Sequence, residues 1–479
     1  MKELLKKSVS GIENLIKSDW YIVIFAIFVF LGWISGYWVG VICFLLGVTI
    51  LATICFNTFK PLLCLLIMIA ATMGTQRVTK TDIILITVFG VCQAIAVVCN
   101  LLIFKPDWSV ISPKNIKGFS FAQILFVIPF LFAGLGYKDN NVKANLVAAG
   151  IMALIAIIYL LIYVGAKTNK DQNYMDYVIK ALFGLTCVAT VEFVICLIRI
   201  EDLSQITNML IWKAIWFGWT GHNTFASVLS MGIPCALYLC IREQKYFYIG
   251  IPLATFMMFV EFGLMVLTGS RGAMLFTILL LPSMLLYTMW QTKHKLTFFI
   301  SFSVCFLFII LVTLKFNKEI SKILITILNK GLDSSSRVES IYPEAVGLFN
   351  QNKLFGVGWG YKLAPNLAGF LQPYLFHSTF FQVLANMGIL GVICLVIFFL
   401  WRYFLVLPMY KKPGAVLIMV AIFVFDMYSM IDTSIFNPML FIVLSCLSLA
   451  MELDMPDGKC CAFLGKDPLS IFKRKRLDK

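Results

Sequence analysis

The sequence predicts an all-α polytopic integral membrane protein with about 12–14 transmembrane helices, and three observations carry that prediction. Of its 479 residues, 61% are hydrophobic and only 13% charged, with a mean hydropathy of +0.92, too few charges to cover a soluble surface. Apolar runs of about 20 residues recur along the whole chain, each long enough as a helix to cross a hydrocarbon core of about 30 Å. None shows the period-two alternation of an outer-membrane barrel strand.

Taken in order, Met1 to Ser18 reads as an amphipathic basic segment. The span after it lacks a small-residue cleavage site, which predicts an uncleaved first helix. Spans then follow at roughly 20–34, 38–56, 61–75, 82–104, 119–136, 144–166, 178–200, 222–241, 247–267, 272–291, 296–315, 378–405, 414–432 and 435–450. If the N-terminus is cytoplasmic, 25 of the 39 Lys and Arg fall on the cytoplasmic side, including Lys17, Lys60, Lys180, Arg242, Lys412 and seven in the tail. That bias predicts both termini inside and the longest loop, residues 316–376, outside. A second external segment, 201–221, carries Trp212, Trp216 and Trp219 and reads as an interfacial, headgroup-level stretch. The organisation expected is an N-terminal transmembrane scaffold (1–200), a catalytic membrane region including the 316–376 loop (201–450), and a basic cytoplasmic tail (451–479).

The net charge of +15 is spread over short loops, with no basic domain for nucleic acid, so it predicts attraction to anionic membrane lipids instead. Most of the 14 cysteines, such as Cys64, Cys187 and Cys394, lie in apolar runs as small hydrophobes, without disulfide or metal-ligand spacing. No internal repeat is visible.

Polar chemistry concentrates between Thr268 and Leu390. Ser270 reads as the N-cap of a helix whose first residue is Arg271, beside the positive end of the helix dipole. A cation there suits an arriving anion, and it equally suits an arginine reaching lipid phosphates. Ser336-Arg337-Val338-Glu339 fits a capping box and again sets an arginine in a first turn; the alternative is a solvated pair with Glu339 or Glu344. His377 is one of three histidines and stands at the start of a span capped by Ser378 and Thr379. An imidazole, with an ordinary pKa of about 6.5, can take a proton from a sugar hydroxyl, and it can also be purely structural. His222 and Asp432 are secondary candidates on the same side, while His294 falls on the cytoplasmic side. Glu192, Glu261 and Asp426 lie within spans, as proton-relay residues or as partners of polar groups. The glycines of Leu354-Phe355-Gly356-Val357-Gly358-Trp359-Gly360 lack a nucleotide-binding context and read as a tight turn with aromatics available for sugar stacking.

In this order these words resemble the O-antigen ligase and O-antigen polymerase (Wzy-type) superfamily of bacterial membrane glycosyltransferases. They are Leu267-Thr268-Gly269-Ser270-Arg271-Gly272-Ala273, then Arg337 with Pro343-Glu344-Ala345 and Leu354 to Gly358, then His377-Ser378-Thr379-Phe380-Phe381-Gln382 running to Gly388-Ile389-Leu390-Gly391. Gly221-His222-Asn223-Thr224 resembles the family's Asn-containing start of an earlier span, and the likeness covers roughly residues 210–410. Ser378 stands where the family commonly has Asn, and Asn386 where it often has Glu. The resemblance implies transfer of a glycan from an undecaprenyl-diphosphate carrier to a glycan or glycolipid acceptor, outside the bacterial cytoplasmic membrane, without metal or other cofactor. Carried over, Arg271 and Arg337 bind the diphosphate and His377 deprotonates the acceptor. Two rivals are a lipid-linked polysaccharide flippase, which should show two similar halves, and a structural subunit of an envelope complex, which needs no catalytic groups.

Overall fold

The computed structural model describes residues 2–74, 80–111, 119–169, 171, 173–200, 203–211, 215, 219, 221–242, 246–329, 337–365 and 371–455. In chain order the helices are α1 (Lys2–Lys17), α2 (Asp19–Ser35), α3 (Trp38–Cys55), α4 (Lys60–Met68), α5 (Lys80–Phe104), α6 (Phe119–Leu125), α7 (Ile128–Phe132), α8 (Val142–Thr168), α9 (Tyr174–Ile198), α10 (Leu203–Ile211), α11 (His222–Ile241), α12 (Phe247–Leu267), α13 (Arg271–Gln291), α14 (Lys295–Lys315), α15 (Asn317–Asn329), α16 (Tyr342–Gln351), α17 (Thr379–Phe404), α18 (Pro413–Ser429) and α19 (Pro438–Leu453). The only strands among the described residues are the three-residue pair β1 (Leu363–Pro365) and β2 (Leu371–Pro373), antiparallel to each other.

Among the described residues, nine helices are long and apolar enough to cross a membrane, and the bent pair α1–α2, at 71° to each other, supplies a tenth. Four other expected spans are apolar but shorter: Lys60–Ala71, Phe119–Phe132, α18 and α19. Local sequence shortens them. Pro129 restarts a helix within the second of these four, and Asn437-Pro438 caps and starts α19, the Asn437 side chain accepting from the Met439 and Leu440 N–H groups. At 16 and 17 residues, α19 and α18 reach only about 25 Å.

The bundle is organised around α11, where Phe225, Val228, Leu229, Met231, Ile233 and Leu237 are wholly buried against α9, α12, α13 and α18. Close approach is set by Gly232: a Cβ there would lie 2.7 Å from both Glu261 Oε2 and Thr186 Oγ1. By contrast α14 turns Phe299, Val304, Leu307 and Leu311 outward, as a lipid-facing helix does.

The two ends of α11 are different in kind. Beyond its C-terminus, Arg242 meets Asp19 (3.3 Å) and Asp176 (3.0 Å), Lys180 meets the same two acids (2.6 Å each), and Lys17 meets Asp171 (2.9 Å). Nearby, Asp454 accepts from the Tyr174 and Met175 N–H groups, and its carbonyl from Lys412. These are segments that the charge count assigns to one face, and the fold brings them together. About 30 Å away along the 20 residues of α11, its N-terminus opens onto the candidate site.

One connection ties the extramembrane cap into the bundle. Helix α17 is broken at Gly388 (φ 64°, ψ −155°), which exposes backbone groups that a continuous helix would pair. The glycine-rich loop fills the gap. Val357 and Gly358 N–H donate to the Ala385 and Asn386 carbonyls (2.9 and 3.0 Å), while Ile389 and Leu390 N–H donate to the Lys353 and Leu354 carbonyls (2.9 and 3.2 Å). Four of the groups around the break thereby find partners. The loop is a wedge, and its aromatic residue differs from the expectation: Trp359 is buried between Phe130 and Phe436, with its N–H on Asn145, so it offers no sugar-stacking face.

Candidate active site

The site is built on the turn that ends α18, Met430-Ile431-Asp432-Thr433. The start of α17 is fastened to it. Ser378 caps α17 by accepting from Phe381 N–H (3.5 Å) and donates its hydroxyl to the Met430 carbonyl (2.7 Å). Thr379 N–H donates to the Asp432 carbonyl (3.1 Å), and the Thr379 and Ser429 hydroxyls are 2.6 Å apart. His377, just outside the helix, has φ +51°, a left-handed conformation uncommon for a side-chain-bearing residue and held here by the contacts on either side. Its Nδ1 lies 3.9 Å from Asp432 Oδ1, and its ring is 41% exposed, so one edge faces the carboxylate while the ring stays accessible.

Asp432 is the most heavily bonded side chain in this region. Thr433 N–H donates to Oδ1 (2.7 Å), and the Tyr428 hydroxyl (2.8 Å) and Asn223 Nδ2 (3.3 Å) donate to Oδ2. Burial pushes the Asp432 carboxyl up, but His377, Thr433 N–H and Tyr428 together outweigh it and hold the group below the usual carboxylate range. Asp432 is therefore an anion at neutral pH.

Arg337 reaches the same turn with its side chain, and the helix that begins at Arg271 packs against it. Arg337 opens a single π-helical turn, Arg337–Ile341, that leads into α16, and its Nη1 donates to the Ile431 carbonyl at 2.7 Å. Arg271 is the first residue of α13, after Ser270, which caps by backbone geometry without a side-chain hydrogen bond. The next residue, Gly272, is pressed against the turn so closely that a Cβ would lie 2.1 Å from Ile431 Cδ1 and 3.1 Å from the Tyr428 ring. Tyr342, at the start of α16, stacks on Phe381 (4.3 Å between centroids, 16° between planes) and places its hydroxyl 3.5 Å from the His377 carbonyl, joining the Arg337 and His377 elements.

Other expectations fall elsewhere. His222 is buried, with Nε2 3.2 Å from the Ile215 carbonyl, and its neighbour Asn223 is the residue that reaches Asp432. Trp219 does not turn its ring to lipid headgroups: it is fully buried and donates its indole N–H to Glu192 Oε2 (2.7 Å). Trp212, Trp216, Ser336 and most of the basic tail lie outside the described residues. Asp426 is the partner of Arg402, a fully buried pair completed by the Tyr403 hydroxyl (2.8 Å). Sequence reasoning missed Asn223 and Tyr428 as site residues; Asn223 carried a signal in the Asn-containing start of its span, and Tyr428 only its position near a helix end beside other polar residues.

Three helices, α11, α13 and α17, and the π-turn that opens α16 thus begin around one acidic turn, with the Arg337 guanidinium and the His377 imidazole beside it and Arg271 at the first position of α13. Helix N-termini and guanidinium groups favour anions, and an imidazole next to a fixed carboxylate is suited to proton transfer. Residues 253–396, which include Arg271, Arg337 and His377, match the family model described as O-antigen ligase. No curated protein and no solved structure matches the chain.

Proposed function

We propose that this protein, whose residues 253–396 match the O-antigen ligase family model, transfers a glycan from an undecaprenyl-diphosphate-linked donor to a hydroxyl of a glycan or glycolipid acceptor. The observation that carries the reading is the meeting of Arg337, His377 and Asp432, with the start of α13, on the single turn 430–433. In the reaction, His377 takes the acceptor's hydroxyl proton as that oxygen attacks the anomeric carbon. The bond from that carbon to the diphosphate breaks, and the diphosphate leaves with the electron pair. Arg271 and Arg337 neutralise the charge that develops on it, the role usually asked of a cation. Asp432 holds the imidazole and stabilises it once protonated. A single displacement of this kind inverts the anomeric centre and needs no metal.

The site is assigned to the external face of a bacterial cytoplasmic membrane, with both termini inside. The support is the ion-paired basic cluster at the far end of α11, where positive-inside topology expects it. Residues 201–450 form the catalytic region, 1–200 its scaffold and 451–479 a cytoplasmic tail.

The test is to incubate the purified protein with lipid-diphosphate oligosaccharide and acceptor, and to resolve products by mass. Wild type should form a new glycosidic bond, and Arg271→Ala, Arg337→Ala and His377→Ala should lose it. Variants as active as wild type reject the assigned roles, and lipid translocation without bond formation supports a flippase instead.

A further inference from the structure

A carboxylate at the end of a turn can rotate to offer either oxygen, so something must choose which oxygen of Asp432 faces His377. Two side chains from opposite sides make that choice. The Tyr428 hydroxyl, one helical turn back in α18, and Asn223 Nδ2, at the second residue of α11, both donate to Oδ2. This leaves Oδ1 to Thr433 N–H and to the approach of His377 Nδ1. Asn223 is itself held in place. The segment before it is pinned by the Trp219–Glu192 bond and turns through Trp219 (φ +55°) and Gly221 (φ +121°), after which His222 is fixed on Ile215.

We infer that Asn223 and Tyr428 are positioning residues of the transfer reaction, which fix Oδ2 of Asp432 so that Oδ1 is presented to His377. This rests on the reading of His377 as the base. The charged and titratable groups around this pair include Arg337 at the turn, Tyr342 at the His377 carbonyl, Tyr428 itself and Arg271, whose neighbour Gly272 packs on the turn.

The experiment is a double-mutant cycle in the full-length protein, with the lipid-diphosphate oligosaccharide as donor. Asn223→Ala, Tyr428→Phe and Asp432→Asn are measured singly, and the first two are also measured in the Asp432→Asn background. Each of the first two should lower kcat about tenfold, the net value of one hydrogen bond, and leave the donor KM within about twofold. In the Asp432→Asn background neither should cause a further loss, because both act through that carboxylate. Losses that multiply in the double variants, a raised KM at constant kcat, or single variants equal to wild type would each overturn the inference. Tyr428→Phe removes a single oxygen, so it carries the test if Asn223→Ala fails to fold. A wild type that forms no glycosidic bond, or a fully active His377→Ala, sinks the functional reading and this inference with it. Activity that requires His377 yet ignores Asn223 and Tyr428 overturns the inference alone.

Discussion

Replacing Gly388 by alanine tests how the extramembrane cap is joined to the helix that carries His377. The backbone at Gly388 (φ 64°, ψ −155°) lies in a region open almost only to glycine, and forcing alanine into it costs about 1–3 kcal/mol. The added Cβ would stand 2.5 Å from the Lys353 carbonyl oxygen and 2.6 Å from that of Leu354, both backbone atoms that cannot swing away alone. Moving them disturbs the four hydrogen bonds that seat the wedge on α17, each worth about 1 kcal/mol net. If two to three of these are lost, the total is about 3–6 kcal/mol. With the unfolding entropy usual for globular domains, a chain of this length melts about 1 °C lower per kcal/mol, so Gly388→Ala should melt about 3–6 °C below wild type. The control is Gly347→Ala, in α16, where a Cβ meets nothing within 4 Å; it should hold or raise the melting temperature, because alanine favours a helix by up to about 1 kcal/mol. Both are read by thermal melts of detergent-solubilised protein, and transfer rates are taken well below either transition. Equal melting of Gly388→Ala and wild type would refute the strain argument. A lower melting temperature with a wild-type transfer rate would show that the wedge is not what places His377.

Three further outcomes follow from the same geometry. His377→Ala should lower the transfer rate on the order of 10²-fold or more while protein yield and melting stay near wild type, since the ring is partly exposed; a loss confined to KM would contradict a base. Asp432 has a folded-state pKa below its unfolded value, so its ionised form stabilises the fold above about pH 4 and that stabilisation is lost as pH falls through the folded value. Asp432→Asn should therefore melt below wild type at neutral pH, and the gap should close as the pH falls below the usual carboxylate range; a gap that does not narrow rejects the assignment. Arg402→Leu should destabilise by about 3–5 kcal/mol by leaving Asp426 buried and unpaired, and Arg402→Leu/Asp426→Leu should recover most of that loss; a double variant no better than the single would show that the pair's geometry, not its charge, matters.

What the sequence made legible follows from which forces are local. Span limits such as 222–241 and 247–267 recur almost unchanged as α11 and α12, because hydrophobic length and capping are properties of one segment. The start of α13 at Arg271 and the Ser378 cap of α17 were legible for the same reason. The wedge was not, since Gly356 and Gly388 are permissive residues whose purpose is backbone pairing across about thirty positions. Trp219 read as interfacial because the carboxylate that buries its indole, Glu192, lies on another helix. The choice between His222 and Asn223 was a matter of about 100° of rotation on one helix, which no pattern around them fixes.

The arrangement around Asp432 also explains how so many positive ends can coexist before any substrate arrives. The dipoles of α11, α13 and α17 and the Arg337 guanidinium would repel one another if nothing negative stood between them. The turn supplies that negative charge twice over: as the Asp432 carboxylate, and as the carbonyls of Met430, Ile431 and Asp432, which accept from Ser378, Arg337 and Thr379. A guanidinium has five N–H donors, so Arg337 can keep its bond to Ile431 and still receive phosphate oxygens. A diphosphate would then enter a site whose donors are already aimed and whose scaffold does not have to be dismantled. Little reorganisation remains for the moment at which the leaving group gains its charge, and that is the condition under which fixed dipoles lower a barrier most.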